Sequence, residues 1–164
     1  MIVVSDSSPL VILAKLKHLD LLRPLFSRIY ISAEVRHEVV VSGAGLPGAS
    51  EVDRADWIET REVQNRADLF EMRGRLGLGI GELSSILLAK ELRADIVLLD
   101  DHEARKLAKA ENLEVRGTLG VLEASFRQGN LGDLRGAFSQ LLKHSYIDPR
   151  LLNERLRAMG LAQL

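Results

Sequence analysis

The stretch ADIVLLDDHEARKLAKAENLEVRGTLGVLEA, residues 94–124, decides the fold class. It contains, in order, a continuous apolar strand at 96–99, two aspartates, an amphipathic helix to about Glu111, a strand near Val115 and a helix from about Leu119. Strands that are apolar on both faces and separated by helices are typical of a parallel sheet covered by helices on both sides. The sequence therefore predicts an α/β fold with a central parallel sheet.

The first residues predict another strand that ends in a carboxylate. The segment IVVSDSSPLVIL, residues 2–13, begins with a β-branched run that ends at Asp6 and continues as an apolar helix. Ser7 or Ser8 is predicted to cap this helix. Asp6 and the pair Asp100 and Asp101 each follow a strand directly, so we expect all three carboxylates at the same edge of the sheet, where such folds bind ligands.

The remaining segments add two further acidic residues near this edge. A strand at 29–31 leads into a helix at 33–41, which Ser32 caps and which carries Glu38. The glycine-rich run at 77–81 opens a helix at 82–92 with Glu82 in its first turn. Elsewhere the patterns predict a short helical piece near 19–22, a surface loop at 42–57, an edge strand at 57–63 and C-terminal helices at about 131–160.

Length and composition bound the class of protein. The 164 residues fit a single domain, 1–164, that can bury one core without disulfides or a structural metal. The absence of cysteine excludes a thiolate zinc site and a cysteine nucleophile, and it suits the reducing cytoplasm, where we expect the protein. The N-terminus lacks a signal-peptide pattern and no apolar run approaches about 18 residues, so no membrane partner is expected. Because the formal net charge is -1, a nucleic-acid partner would need a local basic patch.

The five acidic residues each have an ordinary structural explanation. Glu82 can complement the positive end of its helix, Asp101 can cap the helix that starts near His102, and Glu38 can be solvated surface. Together they are harder to explain, because two carboxylates about 4 Å apart repel by roughly 4 kcal/mol at an effective dielectric constant of about 20. Such a cluster must take up protons or hold a cation.

Oxygen ligands select a hard divalent cation. With no cysteine and only four histidines in the chain, Mg²⁺ or Mn²⁺ is the expected guest rather than Zn²⁺. Such an ion activates water and neutralises charge on a phosphodiester, with one carboxylate as a candidate general base.

At this point the motifs resemble a known family. The segments VVSDSSPLVILAKL (3–16), ISAEVRHEV (31–39), the long run that begins GELSSILL and ends RQGNL (81–131) and the tail LLKHSYIDPRLLNERL (141–156) look like a PIN-domain protein of the toxin-like prokaryotic subgroup. Each motif is short, but their order and spacing cover nearly the whole chain. The resemblance implies a three-layer α/β/α sandwich, a Mg²⁺- or Mn²⁺-dependent ribonuclease acting on RNA, a homodimer and, in toxin–antitoxin modules, a small antitoxin protein as partner.

The resemblance also assigns residues. Asp6 matches the family's first-strand aspartate, Glu38 its helical glutamate and Glu82 the acid that follows the glycine in GIGE. The last acid is open between Asp100, which fits the subgroup's pattern slightly better, and Asp101, which fits the general pattern. All five are predicted as metal ligands and catalytic residues, and the hydroxyls of Ser7 and Ser8 as contacts to a ligand or a phosphate.

Three alternatives can be weighed on the sequence, and the first two are disfavoured. A haloacid-dehalogenase-like phosphohydrolase also places aspartates after its strands, but its second aspartate would fall at Ser8. A receiver domain carries its acidic pair early in the chain rather than late. A PIN fold that binds nucleic acid or protein without cleaving would retain the fold and lose the chemistry.

Two groups of basic residues are candidates for phosphate contacts. The alternative for both is a solvated helix face balanced by neighbouring acids. The first group precedes the Glu82 helix and the second lies in the tail: Arg61, Arg66, Arg73 and Arg75; Lys143, His144, Arg150, Arg155 and Arg157.

Overall fold

A computed structural model describes residues 1–164 and contains one sheet of five strands. The strands are β1 (Val3–Ser5), β2 (Ile29–Ser32), β3 (Ile58–Arg61), β4 (Ile96–Leu98) and β5 (Val115–Arg116). Their order across the sheet is β3-β2-β1-β4-β5, and every neighbouring pair is parallel. The predicted parallel sheet is therefore confirmed, with β3 on one edge.

Helices follow each strand. They are α1 (Ser7–Lys15), α2 (Leu22–Phe26), α3 (Ala33–Arg36), α4 (Ala49–Arg54), α5 (Arg66–Leu76), α6 (Ile80–Glu91), α7 (His102–Ala110), α8 (Thr118–Arg127), α9 (Leu134–His144) and α10 (Pro149–Ala158). A 3₁₀ turn at Leu19–Leu21 leads into α2, and a π-helical turn at His37–Ser42 extends α3. None of these helices is long and apolar enough to cross a membrane.

The sheet separates two hydrophobic cores. Alternate residues of the central strands enter opposite cores, as the strand period of two requires: Val3 and Leu98 lie in one, Val4 and Val97 in the other. The first core is covered mainly by α1, α2 and α8 to α10, and the second by α5, α6 and α7. This is the predicted three-layer α/β/α sandwich.

The central position in the sheet belongs to β1, which fixes where a ligand would sit. The chain leaves β1 for β2 on one side, whereas β4 pairs with β1 on the other side. The backbone N–H of Asp6 donates to the carbonyl of Leu98 at 3.0 Å, so the ends of β1 and β4 are tied together. Ligands of open α/β sheets bind at such a reversal of strand order.

Two segments differ from the prediction. The 42–57 stretch is not a loop throughout, because α4 forms within it and buries Ala49 and Val52, with Trp57 buried just beyond. The helix α5 was not predicted, since only Leu69 and Met72 of its residues are buried. In both helices the apolar face is too narrow to stand out from a background of polar residues and glycine.

Candidate metal centre at the carboxyl edge of the sheet

Asp6 lies at the centre of the site. It follows β1 directly, occupies the N-cap position of α1 and is only 4% exposed. The pKa of its carboxyl is raised from 3.8 to about 7, mainly by burial and in addition by the negative charges of Glu82, Glu38 and Asp100, while the hydrogen bond from the backbone N–H of Ser7 acts in the opposite direction. Three of the predicted acids therefore act on this one carboxyl electrostatically.

Glu38 is held by contacts from two other helices. It lies in the π-helical turn that extends α3. Such turns are rare in proteins overall, and those that occur are often found at functional sites. The hydroxyl of Ser7 donates to Glu38 Oε2 at 2.5 Å. Its carboxylate also rests against Gly81 in the first turn of α6, where an added Cβ would lie only 2.5 Å and 2.6 Å from the two carboxylate oxygens. The glycine in GIGE therefore leaves the space that Glu38 fills.

Glu82 opens α6 beside this contact. Its Oε2 accepts a hydrogen bond from the backbone N–H of Gly79 at 3.1 Å, as the first-turn explanation predicted. Burial raises the pKa of the Glu82 carboxyl, and the charges of Asp101 and Glu38 raise it further, although the Gly79 N–H lowers it. The residue thus caps its helix and also faces the acidic cluster.

Asp100 and Asp101 have different surroundings. Thr118, at the start of α8, donates twice to Asp100: its backbone N–H to Oδ1 and its hydroxyl to Oδ2, both at 2.7 Å. Asp101 is exposed and caps α7, with Oδ1 accepting from the backbone N–H of Ala104 at 2.8 Å. Asp100 therefore acts on Asp6, whereas Asp101 acts on Glu82.

The five carboxylates gather at one edge without forming a closed set of ligands. No three Asp, Glu or His side chains stand in an arrangement that would hold an ion as they are. The donor set still suits a hard divalent cation, since it consists of carboxylate and hydroxyl oxygens around a buried carboxyl that its neighbours destabilise in the charged form.

Ser7 and Ser8 have different surroundings. The prediction that Ser7 or Ser8 caps α1 is wrong, because Asp6 holds the N-cap position and both serines lie within the helix. The hydroxyl of Ser7 instead contacts Glu38, whereas Ser8 is exposed. A contact of either serine with substrate stays a prediction.

Most residues of the two predicted basic groups are already paired with acids. Arg61 contacts Glu59 and Arg66 contacts Glu34, and further pairs are Arg75–Glu71, Arg150–Asp148 and Arg155–Glu123. These pairs favour the solvated-face interpretation for the first group, whereas in the tail only Arg150 and Arg155 are paired. The sequence reasoning missed Thr118 and Gly81, whose roles depend on contacts with residues 18 and 43 positions away, respectively.

Comparison with models of protein families identifies a match. A protein-family model described as a PIN domain matches residues 2–161, which is nearly the whole chain. No curated protein matches the chain significantly.

Proposed function

The chain belongs to the PIN-domain family, and from this membership and the acidic edge of its sheet we propose that it is a metal-dependent ribonuclease that hydrolyses RNA phosphodiester bonds. PIN domains are generally nucleases, so hydrolysis of nucleic acid is the family's common activity. Membership in this family also excludes the haloacid-dehalogenase and receiver alternatives.

The environment of Asp6 is the observation that carries the proposal. Evolution of a stable core alone would not place a carboxyl that is 4% exposed beside three other acids, because each neighbouring negative charge makes its ionised form less favourable. A divalent cation removes this conflict. We assign its ligands to Asp6, Glu38 and Asp100, with Glu82 and Asp101 completing the acidic set.

The residues that surround the ligands hold them in place. Ser7 orients Glu38, and Thr118 orients Asp100 through both of its carboxylate oxygens. When bound, Mg²⁺ or Mn²⁺ supplies positive charge that neutralises the phosphate and favours ionisation of a water molecule.

Glu82 is the residue best suited to take a proton from the attacking water. Its Oε2 is occupied by the Gly79 N–H, which leaves Oε1 to accept, and its raised pKa makes it a stronger base than an ordinary glutamate. In the hydrolysis, the water oxygen forms a bond to phosphorus, one ester P–O bond breaks, and the departing oxygen receives a proton from solvent.

Cleavage of RNA by purified protein tests the proposal. We expect cleavage of a panel of transfer, ribosomal and messenger RNAs with Mg²⁺ or Mn²⁺ and none after chelation. Asp6→Asn and Asp100→Asn should abolish cleavage with the circular dichroism spectrum unchanged. The matched control is Asp56→Asn, since Asp56 is exposed and precedes β3 at the opposite edge of the sheet. Cleavage by Asp6→Asn at the unaltered rate would contradict the mechanism.

A further part of the proposal concerns the biological role of the nuclease. We propose that the protein is a homodimeric toxin of a toxin–antitoxin module, with a small antitoxin protein as its partner, as the resemblance to the toxin-like subgroup implies. An adjacent gene for a small basic or DNA-binding protein would support this setting. Binding without cleavage would instead identify a non-catalytic PIN module.

A further inference from the structure

A groove adjoins the acidic edge on the side of β5. Its volume is about 560 Å³, within the range of about 300–1,000 Å³ that is common for ligand pockets. Asp100 and Thr118 line one part of it, while Tyr146, Ile147 and Leu151 from the α9–α10 connection and α10 line another. One of the candidate metal ligands is therefore also part of the wall of this groove.

The groove is cationic although the whole chain is not. Arg105 and Arg116 line it, and neither guanidinium forms an ion pair with an acid. Arg105 uses Nη1 to donate to the carbonyl of Leu99 at 2.9 Å, and the Arg116 guanidinium lies over the Phe26 ring, 5.7 Å from its centroid. Guanidinium groups carry five N–H donors, so both arginines retain donors for an anion. A third lining arginine, Arg155, is already paired with the buried Glu123.

An unpartnered aromatic ring stands at the same groove. Tyr146 is fully exposed to solvent, although the neighbouring Leu141 is completely buried. A fully exposed aromatic ring does not contribute to the core, and beside arginines it is the kind of surface on which bases of single-stranded nucleic acid stack. Stacking tolerates any base, so it gives affinity with little sequence preference.

We propose that this groove binds the nucleotides next to the scissile phosphate of a single-stranded RNA, with Arg105 and Arg116 contacting backbone phosphates and Tyr146 stacking on a base. The inference rests on the proposed ribonuclease function and extends it to the path of the substrate. Charge complementarity selects RNA over an apolar peptide, because one groove contains two arginines without acidic partners and an exposed aromatic ring. The groove thus adds binding residues that neither basic group of the sequence contained.

Binding of a short, fluorescein-labelled single-stranded RNA in chelator tests the groove without cleavage. By fluorescence anisotropy, Tyr146→Ala should weaken binding about 5-fold or more, and Tyr146→Phe should restore it. Arg105→Gln and Arg116→Gln should each lower the slope of log K against log salt concentration by about 0.7. Phe70→Ala and Arg93→Gln are matched controls, because both side chains are exposed and Arg93 lies at the opposite edge of the sheet.

A cleavage assay separates this proposal from the proposed function. In that assay Tyr146→Ala should raise KM and leave kcat near the unaltered value. If the unaltered protein cleaves RNA and the three groove variants bind it as tightly as the controls do, the groove proposal is wrong and the groove belongs to a protein partner or to no ligand. If binding is lost in the groove variants but no metal supports cleavage, the groove is an RNA-binding site and the nuclease function fails. Absence of RNA binding by the unaltered protein would overturn both.

Discussion

Asp6 is the residue at which stability and function conflict. Its carboxyl has a pKa of about 7 in the folded protein against 3.8 as the ordinary value. Between these pH values the folded state binds more protons than the unfolded state, so the free energy of unfolding falls as pH rises through this range. The raised pKa of Glu82 acts in the same direction. The metal-free protein should therefore be less stable at alkaline pH than in mild acid.

Replacing Asp6 by asparagine should remove this penalty. In metal-free buffer, Asp6→Asn should stabilise the protein more at about pH 8 than at about pH 5, by on the order of 2 kcal/mol, because the unaltered carboxyl is ionised only at the higher pH. Urea unfolding at the two pH values measures the difference. Asp56→Asn, at the opposite edge, should show no such dependence. Equal stabilisation by Asp6→Asn at both pH values would refute the origin of the shift.

Divalent cations should reverse the same penalty. Mg²⁺ or Mn²⁺ should raise the melting temperature of the unaltered protein more at about pH 8 than at about pH 5, because proton release from Asp6 must accompany binding. Asp6→Asn should show little of this increase, and a calorimetric titration should detect the released protons. A metal-induced shift of the same size in Asp6→Asn would place the ion elsewhere.

At the scale of elements, the first turn of α6 matters because Gly81 has no side chain. A Cβ at Gly81 would lie 2.5 Å from Glu38 Oε2, so alanine must displace the Glu38 carboxylate and break its contact with Ser7. Alanine is also favoured over glycine within a helix by about 1 kcal/mol, which offsets part of the cost to stability. Gly81→Ala should therefore lower metal-dependent cleavage by about 10- to 100-fold while the protein stays folded.

A glycine in the neighbouring helix provides the matched control. An added Cβ at Gly74, in α5, would meet nothing within 4 Å. Gly74→Ala should leave cleavage unchanged and stabilise the protein by up to about 1 kcal/mol. Parallel cleavage and urea-unfolding measurements on both variants test the argument. Full activity in Gly81→Ala would show that Glu38 does not need its present position.

Local patterns predicted the elements whose burial repeats along the sequence. The apolar runs of β1 and β4, the caps Ser32 and Asp101 and the acidic positions at the ends of strands were all visible in this way. The helix α5 was not, because its only buried positions are Leu69 and Met72. Contacts between distant segments were not visible either: Ser7 looked like a cap, yet its hydroxyl serves Glu38, 31 residues away. The supports of the site are long-range, and a single sequence does not specify such pairs.

At the scale of the whole molecule, charge is distributed so that a chain with a slightly negative net charge has two arginines without acidic partners in one groove. The net charge is -1, and many arginines are paired with acids on the surface, whereas Arg105 and Arg116 are not. Association with RNA should therefore depend on a few local contacts rather than on a long-range field. The modest salt slope expected for this groove follows from that distribution.

The two cores share one sheet, and we propose that residues 1–164 unfold as a single domain. Trp57, the only tryptophan, is buried in the first core, whereas Ile86 is fully buried in the second. Because alternate residues of β1 and β4 enter opposite cores, loss of packing on one face should weaken the strands that hold the other.

Ile86→Ala should thus lower the urea midpoint reported by Trp57 fluorescence, although the tryptophan lies across the sheet from the mutation. The expected loss in the free energy of unfolding is about 2–5 kcal/mol. The fluorescence and far-ultraviolet circular dichroism transitions should coincide both in the unaltered protein and in the variant. Phe70→Ala, at an exposed position in the same layer as Ile86, should change the free energy of unfolding by no more than about 0.5 kcal/mol. Ile86→Ala could instead move the circular dichroism transition and leave the Trp57 fluorescence transition in place. The two cores would then be separate folding units. The acidic edge between β1 and β4 would then lack the shared rigid support that its geometry requires.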